Sequence, residues 1–192
     1  NRMNKVGFIG LGIMGAPMSR NLMKAGYPVM VFNRSRGPME AAARDGAEMA
    51  ESLTQLAASC NVIFTMLPNS PQVKEVVLGE GGIASAAKPG TLIIDMTSGA
   101  PGDSKDIYAA LKNKDIHIID APVSGGEPMA IAGTLAIMVG GDKTDFERAL
   151  PYLKAVGKTA TWVGPIGSGN TCKLTNQVIV AINIAGLAEG LM

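Results

Sequence analysis

Val62-Ile63-Phe64 and Leu92-Ile93-Ile94 are unbroken apolar runs, and they constrain this chain more than any other feature. A strand with one face in water alternates apolar and polar side chains, whereas an unbroken run needs cover on both faces. Comparable Val- and Ile-rich runs recur at Lys5 to Ile9, Val29 to Phe32, Val62 to Met66, Thr91 to Asp95, His117 to Ala121, Leu135 to Val139 and Thr159 to Val163. Between most of them apolar residues fall at helical spacing: Met14, Met18, Leu22 and Met23, closed by Gly26, or Met39 to Arg44, closed by Gly46. This alternation predicts an α/β fold, a mostly parallel sheet with helices on both faces.

The pattern changes after Val163. A Gly/Pro-rich link, Gly164 to Gly169, leads into a helical stretch from Asn170 with Leu174, Val178, Ala181, Ile182, Ala185 and Ala188 in phase. The expected organisation is a sheet domain over residues 1–164 and the first helix of a truncated all-α domain over 165–192. A helix this apolar needs partners, so the expectation is a homo-oligomer, dimer or tetramer, formed through that helical domain. At the other end, Asn1 and Arg2 precede Met3 and read as additions ahead of a natural start.

Bulk properties exclude several classes. Seventeen Lys+Arg against 16 Asp+Glu, with no basic run, argue against nucleic acid as a partner. Cys60 and Cys172 form no C-x-x-C pair, which suits core thiols in a reducing, cytoplasmic setting. The apolar start from Val6 to Met14 is broken by glycines and too short to span a bilayer, so no membrane anchoring or export is expected.

The first strand runs directly into Gly10-Leu11-Gly12-Ile13-Met14-Gly15, a G-x-G-x-x-G with a helix behind it. In that context Gly10 permits a tight turn, Gly12 lets a pyrophosphate approach the backbone, and Gly15 allows close helix–strand packing, while the helix N-terminus offers unpaired N–H groups to an anion. This is the dinucleotide-binding turn of a Rossmann-type sheet. The second strand ends in Asn33-Arg34-Ser35 rather than in the carboxylate that would accept a ribose 2′-hydroxyl. The Arg34 guanidinium, helped by Asn33 and Ser35, suits a 2′-phosphate and favours NADP, with NAD possible. Arg34 and Arg36 as plain solvated loop charges remain the alternative. Leu67-Pro68-Asn69-Ser70 and Met96-Thr97-Ser98 also lie at C-terminal ends of strands, where ligands collect, although ordinary turns use the same residues.

Carbonyl reduction needs a proton donor near the oxygen that gains charge. His117, the only histidine, lies at a strand start and reads as structural. Lys173 is the only charge between the Gly-rich link and Glu189. Burial and a helix N-terminus would both lower its pKa, with Asn176 or Gln177 one turn along to orient a ligand. A lysine snorkelling from a helix end has the same sequence signature. Ser124-Gly125-Gly126 follows a strand and offers a hydroxyl and N–H groups to a carboxylate, or is a plain strand-end loop. No G-x-x-x-x-G-K-[ST] is present, which excludes a P-loop.

Taken in order, GFIGLGIMG, TMLPNS, DAPVSGG and GSGNTCKLTNQ resemble the β-hydroxyacid dehydrogenases, a family that includes 3-hydroxyisobutyrate dehydrogenase, tartronate semialdehyde (2-hydroxy-3-oxopropionate) reductase and, more distantly, 6-phosphogluconate dehydrogenase. The resemblance covers essentially the whole chain. It implies a small hydroxy- or oxo-acid substrate, Lys173 as general acid/base, an assisting amide at Asn176 or Gln177, and Ser124, Gly125 and Gly126 on the substrate carboxylate. It also implies a Thr97 contact near the nicotinamide ribose. Ser124 to Pro128 with Gly133-Thr134-Leu135 is most similar to the tartronate semialdehyde reductases, where Met129 and Ala132 replace an expected lysine and aspartate. Substrates implied by the wider family are 3-hydroxyisobutyrate, succinic semialdehyde and glyoxylate. A non-catalytic dinucleotide-binding or dimerisation module is the reading from another class.

Overall fold

Alternate residues of each central strand enter opposite cores. In the computed structural model, which describes residues 4–192, β1 (Val6–Ile9) sends Val6 and Phe8 to one side and Ile9 to the other. β4 (Val62–Thr65) splits Val62 and Phe64 from Ile63, and β5 (Leu92–Asp95) splits Leu92 and Ile94 from Ile93. Period-two geometry turns an unbroken apolar run into two buried faces. Phe8 and Phe64 stack with centroids 5.6 Å apart. The reading of Asn1 and Arg2 lies outside the described residues.

One face is covered by α1 (Gly15–Lys24), α2 (Arg36–Arg44), α7 (Gly126–Ala132) and α8 (Lys143–Val156), through Met18, Leu22, Met39, Ala130 and Leu153. The other is covered by α3 (Leu53–Ser59), α4 (Ser70–Leu78), α5 (Ile83–Ala86) and α6 (Pro101–Leu111), through Leu56, Val73, Ile83 and Ile107. The remaining strands are β2 (Val29–Phe32), β3 (Glu48–Met49), β6 (His117–Asp120), β7 (Val123–Ser124), β8 (Leu135–Gly140) and β9 (Gly157–Gly164). Their order is β3-β2-β1-β4-β5-β6-β8-β7, with β9 on β8. β3 to β6 form a parallel set, whereas β8 runs antiparallel to β6 and β7 and parallel to β9. The expected α/β, mostly parallel sheet with helices on both faces is the architecture found.

β3 and β7 went unanticipated, because a two-residue strand is too short to carry a hydrophobic period. The last helix, α9 (Ser168–Leu191), starts two residues ahead of the expected Asn170. Its first turn is built into the sheet domain, with Gly169 and Asn170 buried, while Leu174, Val178, Ile182 and Leu187 are at least half exposed. By length and apolar content alone α9 could cross a membrane. Cys60 is a core thiol as expected, but Cys172 is only half-buried, because the helix leaves the sheet after its first turn. His117 is structural: its Nδ1 lies 2.8 Å from the buried Asp145 carboxylate.

Because β1 lies between β2 and β4, consecutive crossovers leave it in opposite directions and a crevice opens at its C-terminal end. Ile9, Phe32, Thr65, Asp95 and Asp120 align there through the strand registers. The loops that leave β1, β2, β4, β5 and β6 begin at that line.

Candidate functional site

The glycine-rich turn divides into residues the fold requires and one it does not. Gly10 has φ +96, and a Cβ there would overlap the Met66 carbonyl; one on Gly15 would overlap the Gly10 carbonyl. A Cβ on Gly12 would meet nothing within 4 Å. Gly12 therefore leaves room for a ligand rather than for neighbouring protein. Leu11 is buried, Ile13 is 71% exposed, and Met14 is half-buried at the N-cap of α1. Among the described residues, the N–H groups of Gly12, Ile13 and Met14 meet no protein acceptor, and α1 has no acid in its first turn. Free donors, a positive helix end and open space fit a pyrophosphate.

Asn33 is tied to this turn. Its Oδ1 accepts the Leu11 N–H at 3.0 Å, and its Nδ2 donates to the Ser35 carbonyl at 3.0 Å. Arg34 and Ser35 are exposed beside it, and Ser35 N-caps α2 without spending its hydroxyl on the helix. Among the described residues neither side chain has a hydrogen-bond or ion-pair partner, which suits a phosphate at the rim.

The next two loops brace each other. Thr97 is fully buried, and its Oγ1 accepts the Leu67 N–H at 3.0 Å. Thr97 thus spends its hydroxyl on the protein. Pro68 and Asn69 are exposed, and Asn69 caps α4 by accepting the Gln72 N–H. Beneath them, Asp95 Oδ1 accepts from Thr65 Oγ1 at 2.8 Å and from the Thr97 N–H at 3.1 Å. Burial pushes the Asp95 carboxyl up to about 6, against the opposing pull of those hydrogen bonds.

Lys173 stands on α9 in a cleft of about 380 Å³ bounded by Asn69, Ser98, Pro101 and Gln177. It is half-buried, and desolvation lowers its pKa from the usual 10.5. No carboxylate among the described residues pairs with it. Gln177 follows by four residues, about 40° from it around the helix, and lines the same cleft. Asn176 does not line it; its Nδ2 donates to Gln177 Oε1 at 3.1 Å. The geometry thus groups Gln177 with the lysine.

Ser124, Gly125 and Gly126 lie outside that cleft, where the end of β7 turns through Gly125 into the start of α7. Gly125 has φ 135 and Gly126 has φ 63, conformations that favour glycine. Met129 folds back over the turn, since a Cβ on Gly125 would lie 2.5 Å from its Sδ.

Sequence reasoning missed the residues that hold α9. Asp120 accepts the N–H groups of Gly167 and Asn170, each at 2.7 Å. Burial raises its pKa, opposed by those same N–H groups. Asn170 accepts the Gly99 N–H at 2.9 Å and donates to Ser104 Oγ at 3.0 Å. The available signal was an aspartate ending a strand directly after an Ile-Ile pair, seen twice, in Leu92 to Asp95 and in His117 to Asp120. Among the described residues no cluster of metal-ligating side chains occurs.

The chain is also similar to known proteins over nearly its whole length. The family profile described as the NAD binding domain of 6-phosphogluconate dehydrogenase matches residues 5–164. The chain is 44% identical to 2-hydroxy-3-oxopropionate reductase of Escherichia coli (strain K12), over 98% of this chain and 64% of that protein. It is 43% identical to 2-(hydroxymethyl)glutarate dehydrogenase of Eubacterium barkeri, over 98% of this chain and 62% of the relative. Among solved structures, 3-hydroxyisobutyrate dehydrogenase of Mycobacterium tuberculosis with L-serine superposes with a TM-score of 0.93 at 35% identity, covering 98% of this chain and 64% of that one. The chain thus spans less than two thirds of the length of these relatives. With the glycine-rich turn, the free donors behind it and this match over nearly its whole length, the chain belongs to the β-hydroxyacid dehydrogenase family and carries that family's NAD(P)-binding domain.

Proposed function

We propose that the protein is an NADP-dependent reductase of a short 3-oxo acid, with tartronate semialdehyde to glycerate as the leading case. The observation that carries this reading is Lys173: half-buried, unpaired, lowered in pKa, and facing a cleft beside Gln177. A lysine in that state gives up its proton more readily than a solvated one, as a general acid must. The dinucleotide, when bound, supplies hydride to the carbonyl carbon. Lys173 Nζ protonates the carbonyl oxygen, and the Gln177 amide orients it, with Asn176 holding Gln177. Ser124 and the N–H groups of Gly125 and Gly126 take the substrate carboxylate. Arg34, with Ser35, takes the 2′-phosphate, while Asn33 holds the glycine-rich turn beside it, and NAD is the weaker cofactor. Supporting this choice, no carboxylate ends β2 and the Arg34 side chain is exposed.

Residues 165–192 belong to a second, helical unit in this reading. The bare apolar flank of α9 is covered by further helices of the same protein, from one chain or from two in an oligomer.

One observation favours a second substrate. Met129 lays a thioether over Gly125 beside the carboxylate turn, and an apolar wall there suits the methyl branch of 3-hydroxyisobutyrate better than a second hydroxyl.

The deciding experiment follows NADPH and NADH oxidation by the complete protein with tartronate semialdehyde, beside Lys173→Ala. Fast NADPH-linked turnover that the variant loses while still binding cofactor supports the reading. Tight NADPH binding without turnover on any of these semialdehydes overturns it in favour of a binding module.

A further inference from the structure

The strand that leads to the Ser124 turn also holds the helix that carries Lys173. Asp120, at the end of β6, is 1% exposed; its Oδ1 accepts the Gly167 N–H and its Oδ2 the Asn170 N–H, both at 2.7 Å. Apart from the Pro165 carbonyl, which accepts the Ser168 N–H at 3.0 Å, α9 has little else among the described residues to meet its first N–H groups. Its N-cap is Gly167, which has no side chain, and no acid lies in its first turn. A buried carboxylate from 47 to 50 residues upstream therefore satisfies the orphan donors and faces the positive end of the helix dipole.

Glycines make the close fit possible. A Cβ on Gly140 would lie 2.5 Å from Asp120 Oδ1, and one on Gly169 would lie 2.5 Å from the Asp120 carbonyl and 3.0 Å from Oδ2. Asn170 ties the same turn to Gly99, in the loop after β5, and to Ser104 on α6, so the start of α9 is held against α6 as well as β6.

We propose that Asp120 is a positioning residue: by capping α9 from the end of β6, it sets where Lys173 stands relative to the Ser124 turn and the cofactor edge. The assignment rests on the role given above to Lys173. Asp120 spends its carboxylate on backbone N–H groups and forms no ion pair with the lysine, so its influence reaches Lys173 through the helix. Loss of the anion would shift the first turn. It would also leave the helix's positive end unmet, which disfavours the Lys173 ammonium.

The test uses the complete protein. Asp120→Asn keeps the shape but offers one carbonyl oxygen to two N–H groups. The expected result is a kcat lower by about tenfold to a hundredfold, as for a small misplacement of a reacting group. NADPH affinity, measured directly, should be unchanged, and the basic limb of the kcat/KM pH profile should move to lower pH. Gly169→Ala keeps the carboxylate but pushes the turn off it, and should copy that signature; it also decides the matter if Asp120→Asn does not fold. Lys173→Ala, run alongside, separates the two roles. If it retains wild-type turnover, the role of Lys173 falls and this assignment with it. If it is inactive while Gly169→Ala and any folded Asp120→Asn keep wild-type kcat and pH profile, Lys173 stands and the assignment to Asp120 is overturned. Loss of activity in step with loss of NADPH binding, with the basic limb unmoved, marks a purely structural role and also overturns it.

Discussion

Asn33 Oδ1 accepts the backbone N–H of Leu11 at 3.0 Å, so the residue just after β2 holds the glycine-rich turn that follows β1. The side chain thereby shapes the glycine-rich turn from a position that the sequence reading assigned to the ribose phosphate. Asn33→Ala should weaken NADPH and NADH alike, by about tenfold, the worth of one hydrogen bond whose loss leaves a donor unpaired. Fluorescence titration with both cofactors checks this; selective loss of NADPH alone would contradict it.

Arg34 predicts the opposite pattern. Arg34→Asp removes the exposed cation and supplies a carboxylate for a 2′-hydroxyl, so NADPH affinity should fall by about tenfold or more while NADH affinity holds or improves. Equal kcat/KM changes for the two cofactors would return Arg34 to a solvated loop charge.

Gly12 separates ligand from fold. A methyl there meets no protein atom within 4 Å, so Gly12→Ala should leave Tm unchanged and weaken dinucleotide binding by an order of magnitude or more. Gly15→Ala, whose Cβ would overlap the Gly10 carbonyl, should lower Tm as well. Thermal melts with and without NADPH distinguish the two.

Lys173→Ala should lower kcat for reduction by about 10²- to 10⁴-fold with cofactor binding retained. In the wild type, desolvation has lowered the lysine pKa from 10.5, and in the proposed role reduction needs the ammonium. Activity in that direction should therefore fall as pH rises through a value below 10.5, while oxidation of the hydroxy acid should rise through it. A reduction rate that does not fall up to pH 10 would argue against proton donation by this residue.

Asp95 makes a prediction about stability. Its folded pKa is raised from 3.8 to about 6, so the folded state holds the proton more tightly than the unfolded chain. The contribution is fully present below the unfolded value and is lost as pH rises through about 6, at a cost of about 3 kcal/mol. Asn at this position can still accept from Thr65 and Thr97 without ionising. Asp95→Asn should therefore gain on the wild type between pH 4 and 7 in urea melts, and a constant gap across that range would refute the assignment.

The sheet, its two buried faces and the glycine-rich turn were legible in the sequence because each is written in neighbouring residues. Unbroken runs such as Leu92-Ile93-Ile94 require double cover, and Gly10 at φ +96 answers a local backbone demand. Lys173 was visible in the sequence as a lone charge in an apolar helix, whereas the cleft it lines was not. What the tertiary structure alone decided depends on pairs distant in the chain. Asn33 reaches back 22 residues to Leu11, and Asp120 reaches forward 47 and 50 residues to cap α9. Gln177, not Asn176, came to share the lysine's cleft once the helix had a side facing α4 and α6. Periodicity records which face of an element is buried, but it does not record which polar group meets which. That choice is made when packing removes water and every buried donor must find an acceptor.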